Sequence, residues 1–236
     1  MRIDDGLDRR AALLAVAGIG ALATLEGCGK GGAGEEGIAA TEDMMREHGV
    51  LRRILVAYRE TAGLIRSGAR FDVAALADAA DLFRSFGEEY HEHSLEEAHV
   101  FPAVRKAGGA AAGLIDGLLQ QHRRGREINL FLIATCKGGA IADARRPEVA
   151  SALESFARMY EAHAAQEDTI VFQAWRKSLS KHELEEASEQ FEDIEKAQFK
   201  GDGFDLAVDR IARIEQRLGI ADLGRFTAPA PPPSPQ

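Results

Sequence analysis

Hydrophobic residues recur at intervals of three and four throughout the middle of the chain, which is the period of a helix with one buried face. Gly and Pro residues interrupt this pattern and divide it into four long segments followed by two shorter ones. The sequence therefore predicts six helices, over residues 41–66, 72–106, 111–137, 147–178, 180–199 and 205–218.

Short connections join the four long segments, and short connections usually join antiparallel neighbours. The predicted fold is all-α, an up-down-up-down four-helix bundle with two additional C-terminal helices, over residues 41–220. The last two helices have apolar faces that should pack on the outside of the bundle. Thr41 is predicted to cap the first helix, and Ser180 with Glu183 to form a capping box at the start of the fifth.

The first 28 residues have the layout of an export signal. Arg9-Arg10 precedes an apolar run, and a segment that resembles a lipoprotein lipobox ends at Cys28. The arginine pair loosely resembles a twin-arginine signal. We expect export to the periplasm or cell envelope and membrane attachment by a lipid on Cys28. The alternative is a buried or frayed N-terminal helix of a cytoplasmic protein.

Two further segments differ from the helical part. Residues 29–40 form a Gly-rich linker, and residues 221–236 form a Pro-rich tail that is expected to be disordered. The formal net charge of −9 argues against nucleic acid as a partner, because phosphate binding requires a basic surface.

A set of four residues occurs twice in the chain at identical spacing. Each copy contains Phe, Tyr, His and Glu at intervals of four, three and four, and the copies are Phe86, Tyr90, His93, Glu97 and Phe156, Tyr160, His163, Glu167. A further histidine precedes each copy, His48 in the first case and His122 in the second. The chain is thus interpreted as a duplicated helix pair that contributes two His and one Glu from each half.

These His and Glu residues occupy the helical rows that otherwise face the core. An unpaired buried carboxylate is strongly disfavoured, so four imidazoles and two carboxylates in one core require cations. Imidazole nitrogen and carboxylate oxygen suit iron, and a carboxylate can bridge two ions. The pattern predicts a metal site, most simply a di-iron site, with the ligands His48, His93, Glu97, His122, His163 and Glu167.

The chain resembles the hemerythrin-like (HHE cation-binding) domain over about residues 41–220. The matching segments are Glu47-His48, His93 to Glu97 followed by Val-Phe-Pro102, His122, and His163 to Glu167. The resemblance implies two Fe ions in a non-haem centre, bridged by oxo or hydroxo and by the two Glu carboxylates, with two His on each iron.

One ligand position stays open at this point. Counting back from Pro102 to the usual family distance favours Glu96, whereas the apolar row and the internal repeat favour Glu97. His91 and His99 lie off the row and are expected at the surface or in a second layer around the metal.

Arg126 stands four residues after His122, where oxygen-carrying hemerythrins have a fifth His. The remaining set is more similar to iron-sulfur-cluster-repair di-iron proteins and iron-sensing domains. We expect a protein that binds or senses O2 or NO. The alternatives are a redox enzyme that reduces peroxide or NO or repairs iron-sulfur clusters, and a protein of iron handling. Tyr90 and Tyr160 are candidates for hydrogen bonds to a ligand carboxylate or bound oxygen, or else core aromatics.

Overall fold

The computed structural model describes residues 39–232, and all regular secondary structure in this range is helical. The predicted export signal, Cys28 and the linker up to residue 38 lie outside the described residues, as do residues 233–236. The prediction of an all-α fold is confirmed for the part that the structure describes.

Six main helices make up the described part. Helix α1 spans Ala40–Arg66, α3 spans Ile115–Cys136, α5 spans Lys181–Phe199 and α6 spans Gly203–Leu218. Helix α2 has three parts, which are α-helical over Val73–Leu82, π-helical over Phe83–Val100 and α-helical again over Phe101–Ala107. Helix α4 likewise consists of Arg146–Gln166, a π-helical turn Glu167–Val171 and Phe172–Ser178. Short helical turns lie at Gly109–Ala112, Asp143–Arg145 and Leu223–Phe226.

The helix ends follow local sequence signals in most cases. Asp72 caps α2 by accepting from two backbone N–H groups, and the predicted capping box of Ser180 and Glu183 at the start of α5 is confirmed. The prediction that Thr41 caps α1 is wrong, because Ala39 occupies that position and Thr41 lies inside the helix. The π-helical winding of α2 was not predicted.

Helices α1 and α4 run antiparallel along a seam of ion pairs. Arginines at seven-residue intervals on α1 meet acidic residues at seven-residue intervals on α4, and the pairs are Arg52 with Asp168, Arg59 with Glu161 and Arg66 with Glu154. Seven residues are about two helical turns, so each set forms a row along one edge of its helix.

Helices α5 and α6 pack against the outside of the first two helices, as predicted. The ring of Phe199 lies 5.2 Å from that of Tyr90, and Phe191 stacks on Trp175 at 5.6 Å. Ile211 and Ile214 bury the apolar face of α6. None of the helices among residues 39–232 has both the length and the apolar character that crossing a membrane needs.

Glu195 is a buried carboxyl group at the junction of α5 and α6. Its Oε1 accepts a hydrogen bond of 2.9 Å from the backbone N–H of Phe204. Burial, together with the charges of Asp202 and Asp43, raises the pKa of Glu195 to about 7.

A raised pKa in the folded state means that ionisation of Glu195 destabilises the fold. The free energy of unfolding should therefore fall as the pH rises from the carboxyl's usual range to about 7, and this part of the fall should stop above it. Glu195→Gln keeps an acceptor for Phe204 and should be more stable than the wild type at pH 8, but not at pH 4. Urea unfolding at both pH values measures this difference. The exposed Glu189→Gln is the control, and equal effects of both changes would contradict the prediction.

Candidate metal centre

Four histidines from four different helices meet in the core. His48 on α1 and His91 on α2 have their Nε2 atoms 2.9 Å apart, and His122 on α3 and His163 on α4 have theirs 3.1 Å apart. All four side chains are buried. The imidazoles therefore form two pairs, and in each pair the Nε2 atoms face each other.

Two fully buried carboxylates lie between the imidazole pairs. Glu96 places Oε1 3.4 Å from Nε2 of His91 and Oε2 3.3 Å from Nε2 of His122. Glu167 places Oε2 3.0 Å from Nε2 of His163 and 3.5 Å from Nε2 of His48. Each carboxylate thus approaches both pairs. Among the described residues, three groups of side chains could each hold a metal ion. Two of them share Glu96 and lie at this centre, and the third lies on the outer side of His122: Glu96 with His122, His163 and Glu167; Glu96 with His48 and His91; and Glu92 with Glu97 and His122.

The outer nitrogen of every imidazole has a hydrogen-bond acceptor. The Nδ1 contacts are His48 to Asp168 at 2.7 Å, His91 to Glu47 at 2.6 Å, His122 to Glu97 at 2.8 Å and His163 to Gln121 at 2.9 Å. A carboxylate or amide oxygen can only accept, so these contacts assign the proton to Nδ1 and leave the Nε2 lone pair directed inward in the neutral ring. Such outer partners orient metal-binding histidines and increase their basicity.

The inward-facing atoms fit a metal. Neither carboxylate oxygen of Glu96 or Glu167 has a hydrogen-bond partner among the described residues. A buried carboxylate without a partner is strongly destabilising. Cations between these oxygens and the paired Nε2 atoms would satisfy both, and this combination of nitrogen and oxygen donors suits iron.

The electrostatics of the site favour bound positive charge. Burial disfavours a charged imidazole at His122, but nearby carboxylates, foremost Glu92 and Glu96, outweigh it and raise its pKa to about 10. Burial also disfavours charge on Glu96, yet His91 and His122 hold its pKa well below the usual range. The carboxylates thus keep their negative charge, which charged imidazoles balance in the metal-free protein and which bound cations would balance in their place.

The winding of α2 decides which of its side chains face the site. Hydrogen bonds in a π-helix run from residue i to i+5, so residues five apart lie one above the other. His91 and Glu96 are five apart and both lie in the site. The predicted pair, His93 and Glu97, is four residues apart, which is the spacing that shares a face in an α-helix.

The expectation that His93 faces the core is wrong. Its side chain is 73% exposed, and its Nδ1 lies 3.4 Å from Oε2 of Glu97. Glu97 lies at the edge of the site, where it accepts from Nδ1 of His122 instead of facing Nε2. The open alternative, Glu96, is the carboxylate that the structure brings to the centre. His91, which was expected near the surface, is buried beside it. The distance back from Pro102 was the one sequence signal for this register.

Arg126 lies outside the ring of imidazoles. Its Nη2 contacts Oε2 of Glu92 at 3.0 Å and Oε1 of Glu97 at 2.7 Å. These two carboxylates are again five residues apart on the π-helical segment. Arg126 therefore pairs with the face of α2 that lies next to the face turned toward the metal site. One of its two partners is Glu97, the carboxylate that orients His122.

The two tyrosines of the repeat have different roles. The hydroxyl of Tyr160 donates a hydrogen bond of 2.5 Å to Oε1 of Glu92. The hydroxyl of Tyr90 has no hydrogen-bond partner among residues 39–232, and its ring packs on Phe86 and Phe199. Neither hydroxyl contacts Glu96 or Glu167 directly.

A small cavity of about 10 Å³ adjoins the imidazoles. Its walls include His48, His91 and His163, the apolar Leu51 and Leu55, and the Tyr160–Glu92 pair. This volume is about enough for one water molecule. It offers room for a small molecule next to the paired nitrogen atoms.

The fold and the site together define a helical protein with a histidine- and carboxylate-rich cation site. Residues 39–175 match the model of the hemerythrin HHE cation binding domain, and the chain belongs to this family.

The chain is also similar to mycobacterial proteins. It is 41% identical over 191 residues to the uncharacterized protein Rv1995 of Mycobacterium tuberculosis, which covers 80% of this chain and 74% of that protein. The uncharacterized protein Mb2018 of Mycobacterium bovis matches with the same identity and coverage. No solved structure gives a significant match to the chain.

The structure predicts opposite results for two neighbouring histidines. His91→Ala removes one of the four inward Nε2 atoms and should weaken metal binding by more than about tenfold. His93→Ala changes an exposed side chain and should bind metal like the wild type. Metal analysis after anaerobic loading with ferrous ion, followed by dialysis, compares the two. Loss of metal in His93→Ala with retention in His91→Ala would instead support the α-helical register, in which His93 is the ligand.

Gly125 on α3 makes room for Tyr160. A Cβ at this position would lie 2.2 Å from the tyrosine hydroxyl oxygen, whereas a Cβ at Gly117 on the same helix would meet nothing within 4 Å. Gly125→Ala should therefore destabilise the protein by about 1–3 kcal/mol through overpacking. Gly117→Ala should stabilise it by up to about 1 kcal/mol through helix propensity. Urea unfolding of the metal-free protein measures both, and equal stabilisation would show that Tyr160 moves freely.

Proposed function

We propose that this protein holds two iron ions in a non-haem di-iron centre and binds or senses O2 or NO there. The observation that carries the proposal is the arrangement of donors, because two imidazole pairs face inward and two carboxylates each approach both pairs. His48 and His91 would hold one ion, and His122 and His163 the other. Glu96 and Glu167 would be shared between them. The helix pairing is compatible with an up-down-up-down bundle around this centre.

This ligand set differs from the predicted one at two positions on α2. His91 replaces His93, and Glu96 replaces Glu97. The change keeps four imidazoles and two carboxylates, so the expected chemistry remains the same.

The protein side chains leave space for a small ligand. Arg126 has no lone pair to offer a metal and is engaged by Glu92 and Glu97, so it supplies no seventh donor. The cavity of about 10 Å³ beside His48 and His91 is about the size of one water molecule, so it admits only the smallest ligands. Leu51 and Leu55 keep part of its wall apolar. Iron with open coordination positions binds such molecules.

A redox enzyme is the second candidate, with peroxide or NO as its substrate. The hydrogen-bonded Tyr160–Glu92 pair favours it, because the pair gives the cavity a polar wall next to the imidazoles. Repair of iron-sulfur clusters would use the same centre. Iron handling is less well supported, since all four imidazoles have outer partners of the kind that increase metal affinity.

The place of action is proposed from the sequence alone. Residues 1–28 support export to the periplasm or cell envelope, with a lipid on Cys28 as the membrane anchor. The acidic composition supports small molecules, and not nucleic acid, as the partners.

Visible spectroscopy of the iron-loaded, anaerobically reduced protein tests the proposal. We expect two iron ions per chain and a new absorption band when NO or O2 is admitted. Glu167→Ala and His163→Ala should lose iron and show no band. A band that disappears when O2 is removed favours a reversible binding protein, and prompt conversion to a stable oxidised spectrum favours the redox enzyme.

Two outcomes would contradict the proposal. Fewer than two iron ions per wild-type chain after loading would overturn the di-iron centre. A fully loaded protein whose spectrum responds to neither gas would overturn the binding function.

A further inference from the structure

The ion-pair seam between α1 and α4 passes directly beside the metal centre at one end. Arg52, Arg59 and Arg66 each pair with a carboxylate on α4, but only Arg52 also lines the small cavity next to the imidazoles. The other two pairs lie one and two heptads away. Of the three arginines in the seam, Arg52 lies at the cavity, and Arg59 and Arg66 do not.

Arg52 forms the solvent-facing wall of that cavity. All other residues that line the cavity are at most 5% exposed. The side chain of Arg52, by contrast, is 44% exposed. A molecule that moves from solvent into the cavity by the shortest route must therefore pass the Arg52 side chain.

The position of Arg52 is fixed by a carboxylate that also serves the metal centre. Its guanidinium pairs with Oδ2 of Asp168. The other oxygen, Oδ1, accepts from Nδ1 of His48 at 2.7 Å. Asp168 thus holds Arg52 over the cavity and orients His48 at the same time.

We propose that Arg52 is the gate that controls how fast a small ligand reaches the metal centre. This inference rests on the proposed function, because the ligand's destination is the di-iron centre. The gate opens when the guanidinium leaves Asp168 and turns into solvent, which requires no helix to move. The gate limits neutral diatomic molecules and small anions alike.

The test compares Arg52→Ala with Arg59→Ala in the full-length, iron-loaded protein. Arg59 has the same kind of partner, Glu161, and a similarly exposed side chain, but it does not line the cavity. The probes are azide, added to the oxidised protein, and NO, added to the reduced protein. Stopped-flow absorbance gives the association and dissociation rates, and metal analysis gives the iron content.

Opening of the gate lowers the energy barrier to ligand entry and exit. It leaves the free energies of the ligand-free and ligand-bound protein unchanged. In Arg52→Ala, both rates should rise roughly fivefold for both probes, which is the effect of removing one partly exposed ion pair from the opening step. The dissociation constant should stay the same, which a general loosening of the site would not produce. Arg59→Ala should keep the wild-type rates. Arg52→Lys retains the charge without the planar fork, so its rates should lie between those of the wild type and Arg52→Ala.

Several outcomes separate the possible failures. A wild-type protein that does not load iron contradicts the proposed function. A wild-type protein that binds azide and NO, with unchanged rates in Arg52→Ala, contradicts the gate alone. Slower azide binding with unchanged NO binding would show that Arg52 attracts anions and does not close the cavity. If Arg52→Ala loses its iron, Arg52→Gln carries the same comparison, with the same rates deciding.

Discussion

The structure depends on the compensation of charge inside a helical core. Two carboxylates without hydrogen-bond partners among residues 39–232 lie in this core with four imidazoles, and all six side chains are almost fully buried. A core of this kind is stable only if each group has a partner, and the chain itself supplies partners for the four Nδ1 atoms through their outer acceptors. The inward atoms are left for cations. This division between outer and inward partners also explains the positions of Glu92 and Glu97, the two carboxylates that pair with Arg126.

The π-helical winding of α2 is best understood from the same requirement. It presents two pairs of residues at intervals of five on adjacent faces, His91 with Glu96 toward the centre and Glu92 with Glu97 toward Arg126. In an α-helix, neither pair would share a face as closely. A long π-helical segment is uncommon and has poorer hydrogen-bond geometry than an α-helix, so it needs support from its surroundings. The buried contacts of both faces provide that support.

The fold is therefore predictable from the sequence where structure follows from local chemistry, and it is not predictable where distant contacts decide the helical winding. The helix positions, the capping box at Ser180 and the outer packing of α5 and α6 follow from hydrophobic period and cap residues. The internal repeat correctly brought His163 and Glu167 to the site region, because α4 keeps its α-helical winding as far as Gln166 and its π-helical turn begins only at Glu167. The same repeat led to a wrong position for His93, because the prediction took both copies to be α-helical. No local sequence pattern indicates that a turn of α2 contains about one residue more than a turn of an α-helix. Only the distance to Pro102 indicated that the two copies differ.

The order of the ligand helices along the chain links the two halves of the protein. His48 and His91 come from the first helix pair and His122 and His163 from the second, so each half provides the imidazoles of one pair. The carboxylates cross over, because Glu96 of the first half also approaches His122, and Glu167 of the second half also approaches His48. Neither half contains a complete set of donors. A single helix pair could assemble such a centre only by associating with a second copy of itself. The duplicated chain thus holds, in covalent form, the two helix pairs that a dimer would otherwise have to bring together.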